Sequence, residues 1–308
     1  MAYEDSLSRV AVVISTFRSD ASVIALLRQA FAGDTCPFGA VIVVDSQGSG
    51  TIQEAIQREG WKVDYHNFQT NLGSAGNLAQ RFDLAASKDV DWCYALNHDG
   101  RLDPNLIRRL LSHAEEGERI GAAYPRLVYP NAGGKEDRAR RSLSPFSAFE
   151  LSPNDEASCF EVAWSSSNGA LYNLAAIRGG VTIWTELWFG WEDFALGWQL
   201  AAAGWRQILC NNLRLEDCYE FRRASLFGRA VYFADKPVWY SYYMLRNLLI
   251  IRRRSGAQAI GIFMIAKRCF IECLSTLLFR SQKRDRLNLL FQGLRDGFCG
   301  AIGKGPVP

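Results

Sequence analysis

The chain has 308 residues, enough for two domains of ordinary size or for one large α/β domain with an additional segment. Hydrophobic residues make up 48% of it and charged residues 22%, which excludes the disordered and collagen-like classes. The net charge of +3 hides two unequal parts: residues 246–308 carry 12 Lys and Arg against three acids, a charge of +9, and residues 1–245 carry −6. A basic C-terminal region favours an anionic membrane or a nucleic acid as partner, or else forms a solvated helical face.

The eight cysteines are scattered through apolar segments such as Trp92-Cys93-Tyr94, and we predict that they are buried thiols. The first residues contain neither a basic nor an apolar stretch of the kind found in signal peptides, and Ala2 stands where myristoylation requires Gly. We therefore expect a protein of the reducing cytoplasm, either free or peripheral on the inner face of the cell membrane.

From Val10 to Tyr124, strand-like and helix-like segments alternate. The strands are continuous apolar runs rich in β-branched residues, typical of strands that are buried on both faces of a parallel sheet. The predicted order is strand 10–15, helix 21–30, strand 41–45, helix 51–59, strand 63–67, helix 74–87, strand 92–96, helix 104–116 and strand 121–124. This alternation predicts βαβ units and a functional site at the carboxyl ends of the strands.

The alternation stops after Tyr124. Residues 125–161, with the basic cluster Arg138, Arg140 and Arg141, are predicted to form a long loop or flap. An apolar block over 162–213 follows, with a helix at 192–203, and from Val238 onward the pattern is helical. We predict two regions, 1–237 and a basic amphipathic helical region, 238–308.

One segment of the C-terminal region is amphipathic in an unusual way. At helical spacing, Phe263, Phe270 and Leu274 share a stripe with Ala266 and Leu277, whereas Arg268 and Glu272 lie opposite. Lys267, Arg268 and Glu272 near the centre argue against a membrane-spanning helix. The pattern fits a helix on an anionic membrane surface and equally one packed on the body or on another subunit. Nucleic-acid binding is disfavoured because the arginines alternate with Leu and Ile more than with aromatic residues.

Polar residues follow several of the predicted strands. Asp45 ends the second strand before a Gly/Ser turn, where it can bind a base or ribose or can cap the next helix. Residues 71–77, with the sequence NLGSAGN, form a small-residue loop that opens a helix; it suits either a diphosphate or a tight turn. It is neither a P-loop nor a dinucleotide fingerprint.

Two further segments carry carboxylates. Asn97, His98 and Asp99 end the fourth strand, and a carboxylate there can hold Mg²⁺ or Mn²⁺ against a diphosphate. Glu192 and Asp193 open a helix among aromatic residues. They could interact with the helix dipole, or they could supply a general base.

Taken in this order, the segments resemble family 2 glycosyltransferases of the GT-A fold, in particular bacterial members similar to rhamnosyl- and galactofuranosyltransferases that build surface polysaccharides. The resemblance covers about residues 9–247 and is carried by residues 12–17, 43–46, 71–77, 96–99, 167–170, 189–193 with Gly204, and 243–247. It implies an α/β fold of the Rossmann-like GT-A type, with a mostly parallel central sheet flanked by helices and a C-terminal helical extension.

The resemblance also implies a donor site. Asp45 would hold the base and ribose of a nucleotide sugar, and Thr16 and Phe17 would line the base pocket. Asn71 and Gly73 would contact the donor, as would Asn97. Asp99 would bind the diphosphate or a divalent cation, Mg²⁺ or Mn²⁺.

On the acceptor side, the resemblance implies Asp193 as catalytic base and Asn168 and Gly169 as flanks of the acceptor subsite. Trp188 and Trp191 would stack on sugar rings, with Glu192 beside them. The acceptor would be an oligosaccharide or a lipid-linked glycan, and a homo-oligomer is a further expectation.

The chain departs from the family at two positions. Asn97 replaces the first Asp of the DxD motif, which puts metal dependence in doubt, and Asn77 stands where relatives often carry Gly. The expected reaction is inverting transfer, with Asp193 deprotonating the acceptor hydroxyl. The alternatives are a non-catalytic membrane-associated scaffold of the same fold and a sugar-1-phosphate nucleotidyltransferase, although the latter's Gly-rich basic loop is missing after the first strand.

Overall fold

A nine-stranded sheet forms the centre of the molecule. The computed structural model describes residues 6–33, 35–136, 159–217, 221–226, 229–234, 236–256 and 260–306. The strands are β1 Val10–Thr16, β2 Ala40–Asp45, β3 Asp64–Asn67, β4 Trp92–Asn97, β5 Ile120–Tyr129, β6 Lys135–Glu136, β7 Cys159–Glu161, β8 Ala170–Asn173, β9 Arg206–Glu216, β10 Phe221–Leu226 and β11 Arg229–Ala234. The helices are α1 Asp20–Ala30, α2 Thr51–Glu59, α3 Gly73–Ala86, α4 Pro104–Glu116, α5 Leu174–Arg178, α6 Glu192–Ala202, α7 Tyr240–Arg254, α8 Ile262–Phe279 and α9 Lys283–Cys299.

The sheet has the strand order β3-β2-β1-β4-β8-β5-β9-β7, with β6 beside β5. Strands β3, β2, β1 and β4 are mutually parallel, and the antiparallel β8 separates them from the parallel pair β5 and β9. The alternating strands and helices predicted up to residue 124 are therefore confirmed. Their ends differ from the predicted ones by a few residues, with the largest difference in β5.

The register of the parallel strands brings their polar ends together. Thr16 of β1 lies beside Asp45 of β2, and Ser15 lies beside Asn97 of β4. Side chains just beyond these ends point into the same space at the carboxyl edge of the sheet, where parallel α/β sheets place their ligands.

The segment after Tyr124 differs from its prediction. The loop was expected to begin at Pro125, but β5 continues to Tyr129 because it pairs with β9 as far as Val128 and with β6 at its end. Residues 137–158, including the predicted cluster Arg138, Arg140 and Arg141, lie outside the described residues. Strand β7, at the end of this segment, returns to the edge of the sheet beside β9.

The cysteines do not all occur as buried thiols. In the antiparallel register of β7 and β9, Cys159 lies directly opposite Cys210, with 4.1 Å between the Cα atoms, and the two form a disulfide. The prediction of free thiols is therefore wrong for this pair. Cys93 is a buried thiol as predicted, whereas Cys299 is exposed.

The C-terminal helices share a core with the body. Apolar side chains of α7, such as Leu245 and Leu248, form one cluster with Phe194 of α6 and Ala75 of α3. The predicted boundary between residues 237 and 238 stays a prediction, but packing is continuous across it. Of the helices in the described ranges, none is both long and apolar enough to cross a membrane.

Candidate active site

Two adjoining clefts lie at the carboxyl edge of the sheet. The larger has a volume of about 830 Å³, and the smaller has a volume of about 360 Å³. Both volumes lie in the range of ligand-binding clefts. The two clefts share Ser74, Arg81, Asn97, Asp99 and Phe189 in their walls, so that a ligand in one can touch a ligand in the other across these residues.

The larger cleft brings together most of the predicted donor residues. Its lining includes Thr16, Phe17, Asn71, Gly73, Asn97 and Asp99. Phe17 is 39% exposed and presents an aromatic face, whereas Thr16 is buried. An aromatic face is a natural platform for a planar base.

Asp45 does not line this cleft. Its carboxylate is buried, accepting a hydrogen bond from the Tyr65 hydroxyl at 2.8 Å and one from the Gln47 amide nitrogen at 3.1 Å. Ser46 and Gln47 line the cleft in its place. Burial raises the pKa of Asp45. Asp45 thus supports the turn that forms the cleft wall, and its contact with the base stays a prediction.

The start of α3 contacts the loop that leads to Glu192 and Asp193. Gly73 has a φ of +70°, which glycine adopts without strain, and a Cβ at this position would overlap the carbonyl oxygen of Trp188. The Ala75 amide donates to the same oxygen at 3.1 Å. The small-residue loop thus serves close packing against residue 188 as well as lining the larger cleft.

Asn97 and Arg81 meet beneath the junction of the clefts. The Asn97 Oδ1 atom accepts from the Ser15 hydroxyl at 3.1 Å and from Arg81 Nη1 at 3.4 Å. Arg81 is buried, and burial lowers its pKa, although the nearby Asp193 and Glu192 oppose this shift. A buried guanidinium thus lies where the two clefts join.

Glu192 and Asp193 line the smaller cleft at the start of α6. Glu192 accepts a hydrogen bond from the Ser74 hydroxyl on α3. Among the described residues, Glu192 Oε2, Asp193 Oδ1, Asp99 Oδ1, Arg81 Nε and Thr16 Oγ1 are buried polar atoms without a hydrogen-bond partner. Buried polar atoms are costly to leave unpaired. Their concentration around the two clefts indicates that ligand atoms complete them.

Asp193 has the electrostatics of a general base. Burial, together with the adjacent negative charge of Glu192, raises its pKa to about 7, while hydrogen bonds from Ser167 and the charge of Arg81 act in the opposite direction. A carboxylate with a pKa near neutrality binds a proton more strongly than an ordinary aspartate and can still release it.

Lys236 also lines the smaller cleft, facing acidic groups. Burial lowers its pKa to about 8, and the charges of Glu192, Asp217, Asp99 and Asp193 act against that shift. Arg268, from α8, completes this wall; its guanidinium lies 5.5 Å from the ring centre of Trp191 and forms an ion pair with Glu272. The cleft therefore carries carboxylates, which can accept a proton, and cations, which can stabilise an anionic leaving group.

Asp99 offers a carboxylate oxygen to a divalent cation. Its buried Oδ1 has no partner in the described structure, and it lies in the wall shared by both clefts. Mg²⁺ and Mn²⁺ combine carboxylate oxygens with water and with the phosphate oxygens of a substrate. One carboxylate next to an anion-binding cleft can thus hold such an ion when a diphosphate supplies further oxygens.

The predicted acceptor residues are divided between several positions. Trp191, Glu192 and Asn168 line the smaller cleft, but Trp188 lines the larger one, where it stacks on Tyr243 with ring centres 5.3 Å apart. Trp188 is thus separated from the other predicted acceptor residues, and its stacking on a sugar ring stays a prediction. Trp191 donates its indole N–H to the Met244 carbonyl at 3.1 Å, which fixes the orientation of the ring.

Asn168 and Gly169 serve the architecture of the site. The Asn168 side chain accepts from the Asn97 amide at 3.0 Å and donates to Asp217 at 3.1 Å, so both of its polar ends are engaged. Gly169 does not line the cleft. Its φ is +74° and a Cβ would overlap Leu215, so the position requires close packing, and the acceptor contact stays a prediction.

The loop before Asp193 has a strained backbone that α7 supports. Trp188 and Trp191 have φ values of +56° and +70°, a region that residues other than glycine seldom adopt. The side-chain amide of Asn247 donates to the carbonyls of Leu187, Phe189 and Gly190 at 2.9, 2.8 and 2.8 Å. Buried Arg246 donates to the Leu187 carbonyl at 2.7 Å. These bonds hold the loop in its conformation.

Sequence reasoning missed the cations of the site. Arg81, Lys236 and Arg268 come from the middle of α3, the segment before α7 and the inner side of α8, and none lies in a recognisable motif. Ser167 and Asp217 were missed as well. Of these residues, only Ser167 lies next to a predicted site residue, Asn168.

Comparisons with known proteins identify the family and the fold of the chain. The family described as "Glycosyl transferase family 2" matches residues 11–168. No curated protein sequence matches the chain.

Solved structures show the same fold. GalNAc-T7 with UDP, GalNAc and Mn²⁺ aligns over 96% of this chain with a TM-score of 0.63 and 11% identity, and the aligned part spans 56% of that chain. The mannosyltransferase PcManGT from Pyrobaculum calidifontis, in complex with GDP-Man and Mn²⁺, aligns over 94% of this chain and 87% of its own, with a TM-score of 0.54 and 11% identity. Residues 1–349 of S. aureus TarS align over 94% of this chain and 80% of their own, with a TM-score of 0.53 and 13% identity.

These likenesses confirm the predicted α/β fold of GT-A type with a C-terminal helical region. The family match covers half of the chain and includes β1 to β4 and the loop before β8. The chain belongs to glycosyl transferase family 2.

Proposed function

We propose that the protein is an inverting glycosyltransferase that moves a sugar from a nucleoside diphosphate donor to a hydroxyl group of a glycan. The larger cleft binds the nucleotide and the smaller cleft the acceptor. The observation that carries this proposal is the junction of the clefts, where Asp99 and the buried Arg81 line both of them and Asp193 lies in the acceptor cleft. Two solved structures with this fold are complexes with UDP, GalNAc and Mn²⁺ and with GDP-Man and Mn²⁺.

Transfer follows from this arrangement. The acceptor hydroxyl loses its proton to a carboxylate oxygen of Asp193 as its oxygen attacks the anomeric carbon. The bond between that carbon and the diphosphate oxygen breaks on the opposite face, and the electron pair leaves with the nucleoside diphosphate. Attack and departure on opposite faces invert the anomeric configuration. The leaving diphosphate needs no proton, so one base is sufficient.

The cations of the site stabilise the charge that develops on the leaving group. Arg81, in the wall between the clefts, places positive charge beside the diphosphate, and Lys236 adds positive charge in the adjoining acceptor cleft. A divalent cation, when bound, would be held by Asp99 and would neutralise phosphate charge. Asn97 cannot add a second carboxylate, which predicts weaker metal dependence than a DxD motif confers.

We further propose dTDP-rhamnose or a UDP-sugar, such as UDP-galactofuranose, as donor, and an oligosaccharide or lipid-linked glycan of cell-surface polysaccharide synthesis as acceptor. Support comes from the order of motifs along residues 9–247 and from the Asn97-His98-Asp99 variant.

A donor panel tests the proposal. Thermal unfolding is followed with dTDP-rhamnose, UDP-galactose, UDP-galactofuranose, UDP-glucose, UDP-GlcNAc and GDP-mannose, each with Mn²⁺, Mg²⁺ or EDTA. We expect one nucleotide class to raise Tm, because a ligand that binds only the folded state stabilises it. A folded sample that none of these donors stabilises would contradict the donor cleft and favour a non-catalytic scaffold.

A further inference from the structure

Helix α8 exposes an apolar side, whereas its inward side combines polar groups with the buried Ile265. Its outward side is apolar, with Phe263 77% exposed and Phe270 67% exposed, and Ile262, Ile271, Leu274, Leu277 and Leu278 are exposed as well. Its inward side carries the buried Glu272, paired with Arg268, and the buried Thr276. Water normally faces the polar side of a helix and the core its apolar side. An apolar surface of this extent marks an interaction site.

Exposed basic residues lie on α8 and on the helix that follows it. Lys267 lies on the outward side of α8 itself, and Lys283 and Arg284 are exposed at the start of α9. The outward side of α9 combines Arg284 and Arg295 with the exposed Phe291 and Phe298. Aromatic and aliphatic side chains flanked by Lys and Arg are the combination that binds the surface of an anionic bilayer.

We propose that α8 docks on an anionic lipid bilayer, with Phe263, Phe270 and Leu274 inserted at the boundary between headgroups and acyl chains. Charge favours this occupant over a second copy of the chain. A symmetric contact through α8 would bring together two regions that each carry +9, whereas an anionic membrane neutralises that charge.

The other side of α8 forms part of the acceptor cleft. Arg268 lines that cleft together with Asp193 and Trp191, and it projects from the helix opposite the apolar surface. A helix is about 10 Å across, so docking would place the cleft wall about one helix diameter from the membrane. The acceptor would therefore be a glycan on a lipid anchor in the same membrane. This statement about the acceptor rests on the proposed function, whereas membrane docking does not.

Flotation with lipid vesicles tests the docking. The full chain is mixed with vesicles of equal parts phosphatidylglycerol and phosphatidylcholine, or of phosphatidylcholine alone, at low and high salt. Wild type should float with the anionic vesicles and lose most of that binding in high salt. The double variant Phe263→Ser/Phe270→Ser should bind about 100-fold more weakly, because two aromatic anchors are removed.

A pair of charge reversals provides the matched control. Lys267→Glu, on α8, should weaken binding about 10-fold or more, whereas Lys62→Glu makes the same change of net charge at an exposed position between α2 and β3 and should leave binding near the wild-type level. Equal losses in both variants would show that net charge alone attracts the protein and would overturn the docking of α8.

Two further readouts separate the proposals. The rise in Tm on adding donor should persist in the double Phe variant, which shows that the variant folds and that the donor cleft is intact. Light scattering without vesicles gives the oligomeric state. A wild-type dimer that the double variant converts to a monomer, with no vesicle binding by either, would assign the surface to a second copy. Vesicle binding without any donor effect would leave the docking intact and remove the acceptor assignment.

Discussion

The guanidinium of Arg81 donates to the side-chain oxygen of Asn97 at 3.4 Å, beneath the junction of the two clefts. An aspartate at position 97 would pair with Arg81 and cancel its charge. With the neutral Asn97, the buried cation keeps its charge available for a diphosphate. This pairing gives a physical reason for the unusual first residue of the Asn97-His98-Asp99 motif.

Asn97→Asp is therefore expected to weaken binding of the nucleoside diphosphate when no metal is present. The new carboxylate compensates Arg81 and repels the phosphates, at a cost of about 1–3 kcal/mol. Titration calorimetry in EDTA measures this directly, with Asn97→Ala as the control that removes the amide without adding charge. Tighter binding by the Asp variant in EDTA would contradict the role given to Arg81.

Asp193 is expected to lower the stability of the folded protein at alkaline pH. Its folded pKa of about 7 lies above that of an unfolded aspartate, so the folded state binds the extra proton between about pH 4 and pH 7, and stability falls as pH rises through that range. Asp193→Asn removes this loss. At pH 8, the variant should be more stable than wild type by roughly 1–3 kcal/mol, with a smaller difference at pH 5.

Urea unfolding at the two pH values provides the measurement. A pH-independent difference between Asp193→Asn and wild type would show that Asp193 titrates like an ordinary surface aspartate.

Asn247 is expected to act as a positioning residue for the loop that carries Trp191 and leads to Asp193. Replacement by Ala leaves the carbonyls of Phe189 and Gly190 without their donor and leaves the Leu187 carbonyl with Arg246 alone, and we expect a loss of about 2–3 kcal/mol of stability. The loop's left-handed residues then relax, so kcat should fall more than donor affinity does. Asn105→Ala, at an exposed position near the start of α4, is the matched control and should change neither quantity. A variant with unchanged kcat would show that the loop holds its conformation without Asn247.

Lys304 is expected to contribute to donor binding from the C-terminal segment. It lines the larger cleft, and the segment is held by bonds from Arg246 to the Gly303 carbonyl at 2.6 Å and from the Gly305 amide to the Tyr243 hydroxyl at 2.8 Å. Lys304→Ala should raise the donor KM by about 3- to 10-fold with kcat little changed, because an exposed cation contributes modestly. Steady-state kinetics at two salt concentrations checks this, with Lys62→Ala as control; an unchanged KM would remove Lys304 from the donor site.

The sheet could be predicted from the sequence because its signal is local. Buried parallel strands such as β1 and β2 are continuous apolar runs, and Asp99 and Asp193 each adjoin a clear strand or helix boundary. The helical pattern of α8 was equally readable: the residues predicted to share its stripe are exposed together, and Glu272, predicted to lie opposite, is buried.

The remaining features depend on contacts between distant residues. The sequence places Asp45 at the end of a strand, where a base could bind. It does not show that the hydroxyl of Tyr65, 20 residues away, donates a hydrogen bond to the Asp45 carboxylate. Arg81 and Lys236 become site residues only because the fold buries them beside carboxylates from other elements. The disulfide likewise depends on the register of β7 with β9, which no local pattern specifies.

The most direct test of the central claim is the release of nucleoside diphosphate from the donor that stabilises the protein, measured for wild type and Asp193→Asn with a saccharide acceptor. We predict that the variant binds the donor with near wild-type affinity and loses about 10³-fold or more in turnover, because only the base is missing. Wild-type turnover should also rise with pH through about 7, as Asp193 loses its proton. Turnover by the variant close to the wild-type rate would contradict Asp193 as the base and with it the mechanism.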